Sequence, residues 1–203
     1  MRIVCLDLEG VLVPEIWINV SKKTGIETLK LTTRDVPDYD ELMRYRINIL
    51  NEHKLSLTDI QDVIATMEPF PGALEFLDWL RQRTQVIILS DTFTEFAQPL
   101  MRALRWPTLF CNNLKIDAQN MIVGYSLRMH DGKMHAVKAL QSIGFTVFAA
   151  GDSYNDLSMI RQADAGALFK APDTIVLEQQ SLPHAKNYDE FKALLIDFLS
   201  PSM

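Results

Sequence analysis

Val147-Phe148-Ala149-Ala150-Gly151-Asp152-Ser153-Tyr154-Asn155-Asp156 is the stretch that decides the fold class of this 203-residue chain. Four apolar residues run without a break into a glycine and an aspartate. Unbroken apolarity over so short a run marks a strand covered on both faces, as in a parallel sheet. The same signature recurs at Ile3-Val4-Cys5-Leu6 before Asp7 and at Val86-Ile87-Ile88-Leu89 before Ser90-Asp91, with a weaker fourth run over residues 165–169.

Helical patterns lie between these runs. Residues 73–83 carry Leu74, Leu77 and Leu80 at helical spacing behind Pro71-Gly72, a start signal. Behind Asp131-Gly132, Met134, Val137, Leu140 and Ile143 recur on one predicted face, and residues 154–162 and 188–199 read the same way. Strands alternating with helices predict an α/β protein with an open, doubly wound parallel sheet. Residues 14–70 break the rhythm, with helical periodicity around 41–53 and no buried strand. They are expected to form a helical cap inserted after the first strand, leaving 1–13 and 71–203 as the core domain. Residues 114–125 predict a β-hairpin excursion turning at Asp117-Ala118-Gln119-Asn120. Trp17, Trp79 and Trp106 read as packing residues.

Composition removes several function classes. With 20 Lys+Arg against 26 Asp+Glu, the net charge of -6 leaves no basic surplus for nucleic acid. Cys5 and Cys111 form no C-x-x-C pair, so a reduced compartment without disulfides is expected. The apolar start is interrupted at Asp7, too early for a signal peptide, and no run reaches the ~18 residues that span a bilayer. The expectation is a soluble cytoplasmic protein, monomer or homodimer, with neither membrane nor nucleic acid as partner. His53, His130, His135 and His184 are too scattered for zinc, and no G-x-x-x-x-G-K loop indicates a nucleotide-dependent kinase.

In an open α/β sheet, ligands bind beyond the carboxyl ends of the strands, near the point where strand order reverses. If the three strands are neighbours, Asp7, Ser90 and Asp152 converge on one crevice. Converging carboxylates raise one another's pKa and require a compensating cation. Mg2+, held by a few oxygens and completed by substrate phosphate and water, fits so sparse an acidic set. Arg46 has Leu42, Met43, Ile49 and Leu50 as helical neighbours and so lies within an apolar stripe, whereas Arg44 lies on the wet face. A cation among core-facing positions requires an anion, and a substrate carboxylate is one.

Asp7-Leu8-Glu9-Gly10-Val11-Leu12, Ser90, Lys133 and Gly151-Asp152-Ser153-Tyr154-Asn155-Asp156 resemble, in order, the four motifs of the haloacid dehalogenase-like phosphatase superfamily. The cap and the Gly-Asp-x-x-Asn-Asp-x-x-Met phrase ending at Met159 are most similar to its phosphoserine phosphatase type, and Glu9 in place of aspartate to the bifunctional phosphoserine phosphatase/homoserine phosphotransferase subgroup. The resemblance implies that Asp7 attacks phosphorus and ligates Mg2+. Glu9 would serve as acid and base and offer its backbone carbonyl to the metal. Ser90 and the amides of Asp91 and Thr92, which replace the usual glycine pair, would hold phosphoryl oxygens. Lys133 would neutralise developing charge, and Asn155 would reach the phosphate. Asp152 would ligate the metal, with Asp156 just behind. In the cap, Glu15 and Arg46 would take the ammonium and carboxylate of O-phosphoserine, with homoserine as a second acceptor. Two other readings stay open: a phosphatase for another small phosphometabolite, and a non-enzymatic phospho-receiver module.

Overall fold

Each central strand feeds two cores, because successive side chains leave opposite faces of a sheet. In a computed structural model of the chain, residues 1–32, 35, 36 and 38–200 are described; residues 33, 34 and 37, inside the expected cap, lie outside the described residues. In chain order the elements are β1 (Arg2–Leu6), α1 (Ile16–Thr24), α2 (Tyr39–Glu52), α3 (Leu57–Ala65), α4 (Ala73–Arg81), β2 (Gln85–Phe93), α5 (Thr94–Ala103), β3 (Thr108–Ile116), β4 (Ile122–Ser126), α6 (Gly132–Ser142), β5 (Thr146–Gly151), α7 (Leu157–Gln162), β6 (Ala165–Phe169), α8 (Asp173–Glu178), β7 (His184–Ala185) and α9 (Tyr188–Leu199), with 3-10 turns at Glu27–Lys30 and Tyr154–Asp156.

The strands form one sheet in the order β4-β3-β2-β1-β5-β6-β7, parallel except for β4. Val4, Leu6, Phe148 and Ala150 enter the core beneath α4, α5 and α9, while Ile3, Cys5, Val147 and Ala149 enter the core beneath α6, α7 and α8. From β1 the chain builds outward through β2, β3 and β4, then crosses to β5 on the other side. Strand order therefore reverses at β1, which is where a ligand crevice is expected.

Residues 14–70 supply α1, α2 and α3 and no sheet strand among the described residues. Asp38 caps α2 by accepting from the Glu41 amide (2.9 Å), and Ser56 with Asp59 forms a capping box on α3. Three features differ from the sequence reading. The hairpin is present, but its first strand begins at Thr108 and pairs parallel with β2, so it is the margin of the main sheet. Its short apolar run, Leu109-Phe110-Cys111, ends in two asparagines and leaves only a weak signal. On α6 the buried side is Lys133, Ala136 and Val137, whereas Ile143 lies past the helix end and is exposed. Trp106 is exposed rather than packed, at the end of two successive left-handed residues. No helix among the described residues is long and apolar enough to cross a membrane.

Within α5, Pro99 removes the amide that would bond the carbonyl four residues back. That carbonyl, of Glu95, instead accepts from Gln61 Nε2 of α3 at 2.7 Å. A helix imperfection thereby ties residues 14–70 to the sheet domain.

Candidate active site

β1 delivers Asp7 at its carboxyl end, where the Asp7 amide still donates to Ala150 of β5 (2.9 Å). Two glycines make the approach possible. A Cβ on Gly10, which has a left-handed φ of 75°, would collide with the Asp152 carboxylate, and one on Gly151 would collide with Asp156. On β2 the ladder slips: Leu89 faces Phe110 and Phe93 faces Asn112, so Ser90, Asp91 and Thr92 stand opposite Cys111 alone. This bulge turns three residues of a buried strand toward the crevice. The Thr92 amide donates to Ser90 Oγ (3.2 Å), so it reaches a phosphoryl oxygen only by exchanging that bond.

Lys133, 4% exposed, organises the acidic groups. Its Nζ lies 2.9 Å from Asp7 Oδ1, 2.7 Å from Asp156 Oδ1 and 3.6 Å from Asp91 Oδ2. Burial alone would lower its pKa, but Asp156 and Asp7 outweigh burial and raise it well above the ordinary value. Asp7 is held well above the usual carboxylate range, first by burial and then by Asp156, with Lys133 pulling the other way. Asp152 is pushed up to about 7 by burial, Asp156 and Glu15. Asp156 is fully buried and accepts from the amides of Asp152 (3.0 Å) and Ser153 (3.1 Å), which fixes the start of the turn.

One cavity of about 930 Å³ is lined by every expected site residue except Asp156, which sits behind Lys133. Glu9 turns away from the sheet: its Oε2 accepts from the Ile16 amide, the first of α1, at 2.7 Å. Burial and then Glu15 push its pKa up to about 8, which favours the protonated form. Arg46 is buried with its guanidinium over the Trp17 ring (4.5 Å to the centroid). Its Nη2 donates to the Leu31 carbonyl (2.7 Å), while its Nε is buried with no hydrogen-bond partner. Arg44 is exposed, as the helical spacing predicts, and its Nε donates to the Asp40 carbonyl (3.2 Å).

Three contributors carried no local signal. Trp17 is the platform under Arg46, Tyr39 lines the cavity and donates to the Asp91 carbonyl (3.3 Å), and buried Asn112 donates to the same carbonyl (3.2 Å). Their partners lie 21 to 52 residues away, beyond any periodic pattern.

Residues 1–164 match the family model described as haloacid dehalogenase-like hydrolase. The chain belongs to the haloacid dehalogenase-like hydrolase family. Along its whole length it is 55% identical over 203 residues to "Phosphoserine phosphatase ThrH" of Pseudomonas aeruginosa, covering 99% of that protein. It is 56% identical over 192 residues to "Phosphoserine phosphatase" of Pseudomonas syringae pv. tomato, covering 95% of this chain and 81% of the relative. Among solved structures, a substrate-bound phosphoserine phosphatase complex superposes with a TM-score of 0.78 at 20% identity, covering 96% of this chain and 97% of the other. A phospho-aspartyl intermediate analogue of phosphoserine phosphatase gives 0.75 at 19% identity, with coverage of 91% and 92%. At these identities the structural likeness establishes the fold.

The donor set of this haloacid dehalogenase-like hydrolase fits a hard divalent cation. Carboxylate oxygens of Asp7, Asp152 and Asp156 lie within 4.8 Å of one another, all buried, with no sulfur or imidazole among them. Burial and then the neighbouring Asp156 raise the pKa of both Asp7 and Asp152, a direction that a bound cation would oppose. Because the Asp152 pKa is higher folded than unfolded, its contribution to stability is complete below the ordinary carboxylate pKa and is lost as pH rises through about 7. Metal-free protein is therefore expected to lose stability as pH climbs from about 5 to about 8, and Mg2+ to restore it. Thermal melts in EDTA and in Mg2+ at both ends of that range check this; an equal Mg2+ effect at both would count against it.

Proposed function

We propose that this hydrolase is a Mg2+-dependent phosphomonoesterase acting on O-phosphoserine through a phosphate ester of Asp7, with residues 14–70 serving as its cap. One observation carries the reading: a single cavity holds both the Asp7–Lys133–Asp152 cluster and Arg46, a buried guanidinium with an unused donor. The full-length relatives named phosphoserine phosphatase point the same way. When bound, Mg2+ would screen the carboxylates and polarise the phosphoryl group, with Asp7, Asp152 and the Glu9 carbonyl as ligands. Asp7 attacks phosphorus as the bond to the serine oxygen breaks, and Lys133 neutralises charge gathering on the phosphoryl oxygens. Glu9 gives its proton to the leaving serine oxygen, then removes one from the water that releases phosphate. Arg46 takes the substrate carboxylate in a fixed fork, and Glu15 takes the ammonium.

The stored phosphoryl group can pass to an alcohol as well as to water. Homoserine is serine with one more methylene, so a pocket that admits one has room for the other, which supports homoserine as a second acceptor. The test is to incubate the Mg2+-loaded protein with phosphoserine and homoserine and follow phosphorus by NMR. Serine and inorganic phosphate are expected, together with phosphohomoserine; without the last, the transfer reading fails. In the same assay Arg46→Ala is expected to lower kcat/KM for phosphoserine by roughly 100-fold or more, while sparing p-nitrophenyl phosphate, which has no carboxylate. Equal loss on both substrates would remove Arg46 from substrate recognition.

A further inference from the structure

Asp91 stands where the resemblance leads one to expect glycine, and its carboxylate is placed among the donors of the phosphoryl site. Asn155 Nδ2 donates to Asp91 Oδ2 at 2.8 Å, and the same oxygen lies 3.6 Å from Lys133 Nζ. Lys133 is also the group that touches Asp7 at 2.9 Å. An oxygen bonded to Asn155 and beside Lys133 is therefore within reach of the nucleophile's own cationic partner. The backbone behind it is fixed, since the Asp91 carbonyl accepts from Tyr39 Oη (3.3 Å) and Asn112 Nδ2 (3.2 Å). The side chain is 43% exposed, so it is free to swing out.

We propose that Asp91 is a specificity-determining residue, an internal anion that occupies a phosphoryl-oxygen position and weakens the site's hold on inorganic phosphate. The inference rests on the phosphoryl-transfer reading of the site. An arriving phosphate takes Asn155 and Lys133 from Asp91 and then remains beside the displaced carboxylate. Like charges at such separations repel appreciably at the edge of a protein, where water screens them only in part. Three carboxylates, Asp7, Asp91 and Asp156, already lie within 3.6 Å of the Lys133 ammonium, and Asp152 is gathered beside Asp7 and Asp156. For a substrate, contacts to Arg46 and Glu15 offset the repulsion. Inorganic phosphate has no such contacts, so the discrimination favours entry of the ester and departure of the product.

The test uses Asp91→Asn, which keeps an oxygen for Asn155 without the charge, and Asp91→Gly. Inorganic phosphate is titrated calorimetrically into each Mg2+-loaded protein, and its inhibition constant is measured in hydrolysis. Both variants are expected to bind inorganic phosphate about 10-fold tighter or more, with the inhibition constant falling in step. Should Asp91→Gly melt early, Asp91→Asn decides alone. Unchanged or weaker phosphate binding in a folded Asp91→Asn protein overturns the proposal. Phosphoserine turnover by the unaltered protein is measured alongside. Its absence would sink the functional reading itself, whereas normal turnover with unchanged phosphate affinity in the variant sinks only the role given to Asp91.

Discussion

Asp7→Asn is expected to abolish phosphoserine hydrolysis, by at least ~10⁴-fold in kcat, while the protein stays folded. An amide nitrogen is too weak a nucleophile to attack phosphorus, and neither Asp156 nor Glu9 is expected to take over, because the Asp156 carboxylate is held by the amides of Asp152 and Ser153 and Glu9 by the first amide of α1. Stability should move the other way. In the metal-free protein the Asp7 pKa is raised by burial and by Asp156, so a neutral side chain of the same shape relieves a repulsion, while its oxygen still accepts from Lys133 and the Leu8 amide. Kinetics, phosphoenzyme trapping and a thermal melt in EDTA together check this. An inactive variant with an equal or higher Tm is the expected pattern, and retained turnover would end the assignment of residue 7. The opposition of activity and stability at one residue is the usual mark of a site in which like charges are gathered for chemistry.

Lys133→Met is the second large effect and should fall on both quantities. Removing the ammonium leaves Asp7 and Asp156 in a buried space with no cation opposite them. Taking one partner from a buried charged group typically costs about 3–5 kcal/mol, and kcat should fall by at least ~10³-fold because charge on the phosphoryl oxygens is no longer neutralised. Urea unfolding and steady-state kinetics provide the two readings. Adding Asp156→Asn to Lys133→Met should recover part of the stability by lightening the carboxylate load, without recovering activity. Full activity in Lys133→Met would reduce this lysine to a structural counter-ion.

Much of this was legible in the sequence because the signals were local. Unbroken apolar runs ending in Asp7 and Asp152 placed two strand ends, while the run before Ser90 placed a third strand that continues through a bulge to Phe93 instead of stopping there; the sheet order brings the three together at the reversal point. The contrast between Arg46 and Arg44 followed from helical spacing alone, and the structure buries the first and exposes the second. What the chain hid was nonlocal. α5 contains Pro99, which reads as a helix breaker although Phe96, Ala97, Leu100 and Met101 share one helical face; the cost of the proline is met by a side chain from α3. Trp17 reads as core until Arg46 is laid over it. The bulge at 90–92 depends on the register between β2 and β3, and with it the direction in which the Asp91 carboxylate points.

The bond between Glu9 and the Ile16 amide ties together two events that need not have been connected. In its proposed role Glu9 supplies the proton for the leaving group, yet its carboxyl is fastened to the first turn of α1. Any outward swing of that helix must either drag the acid with it or tear it loose. On the proposed reading of cap and acid, an open cap would be a disarmed one, the longer reach of glutamate over aspartate being what couples the two.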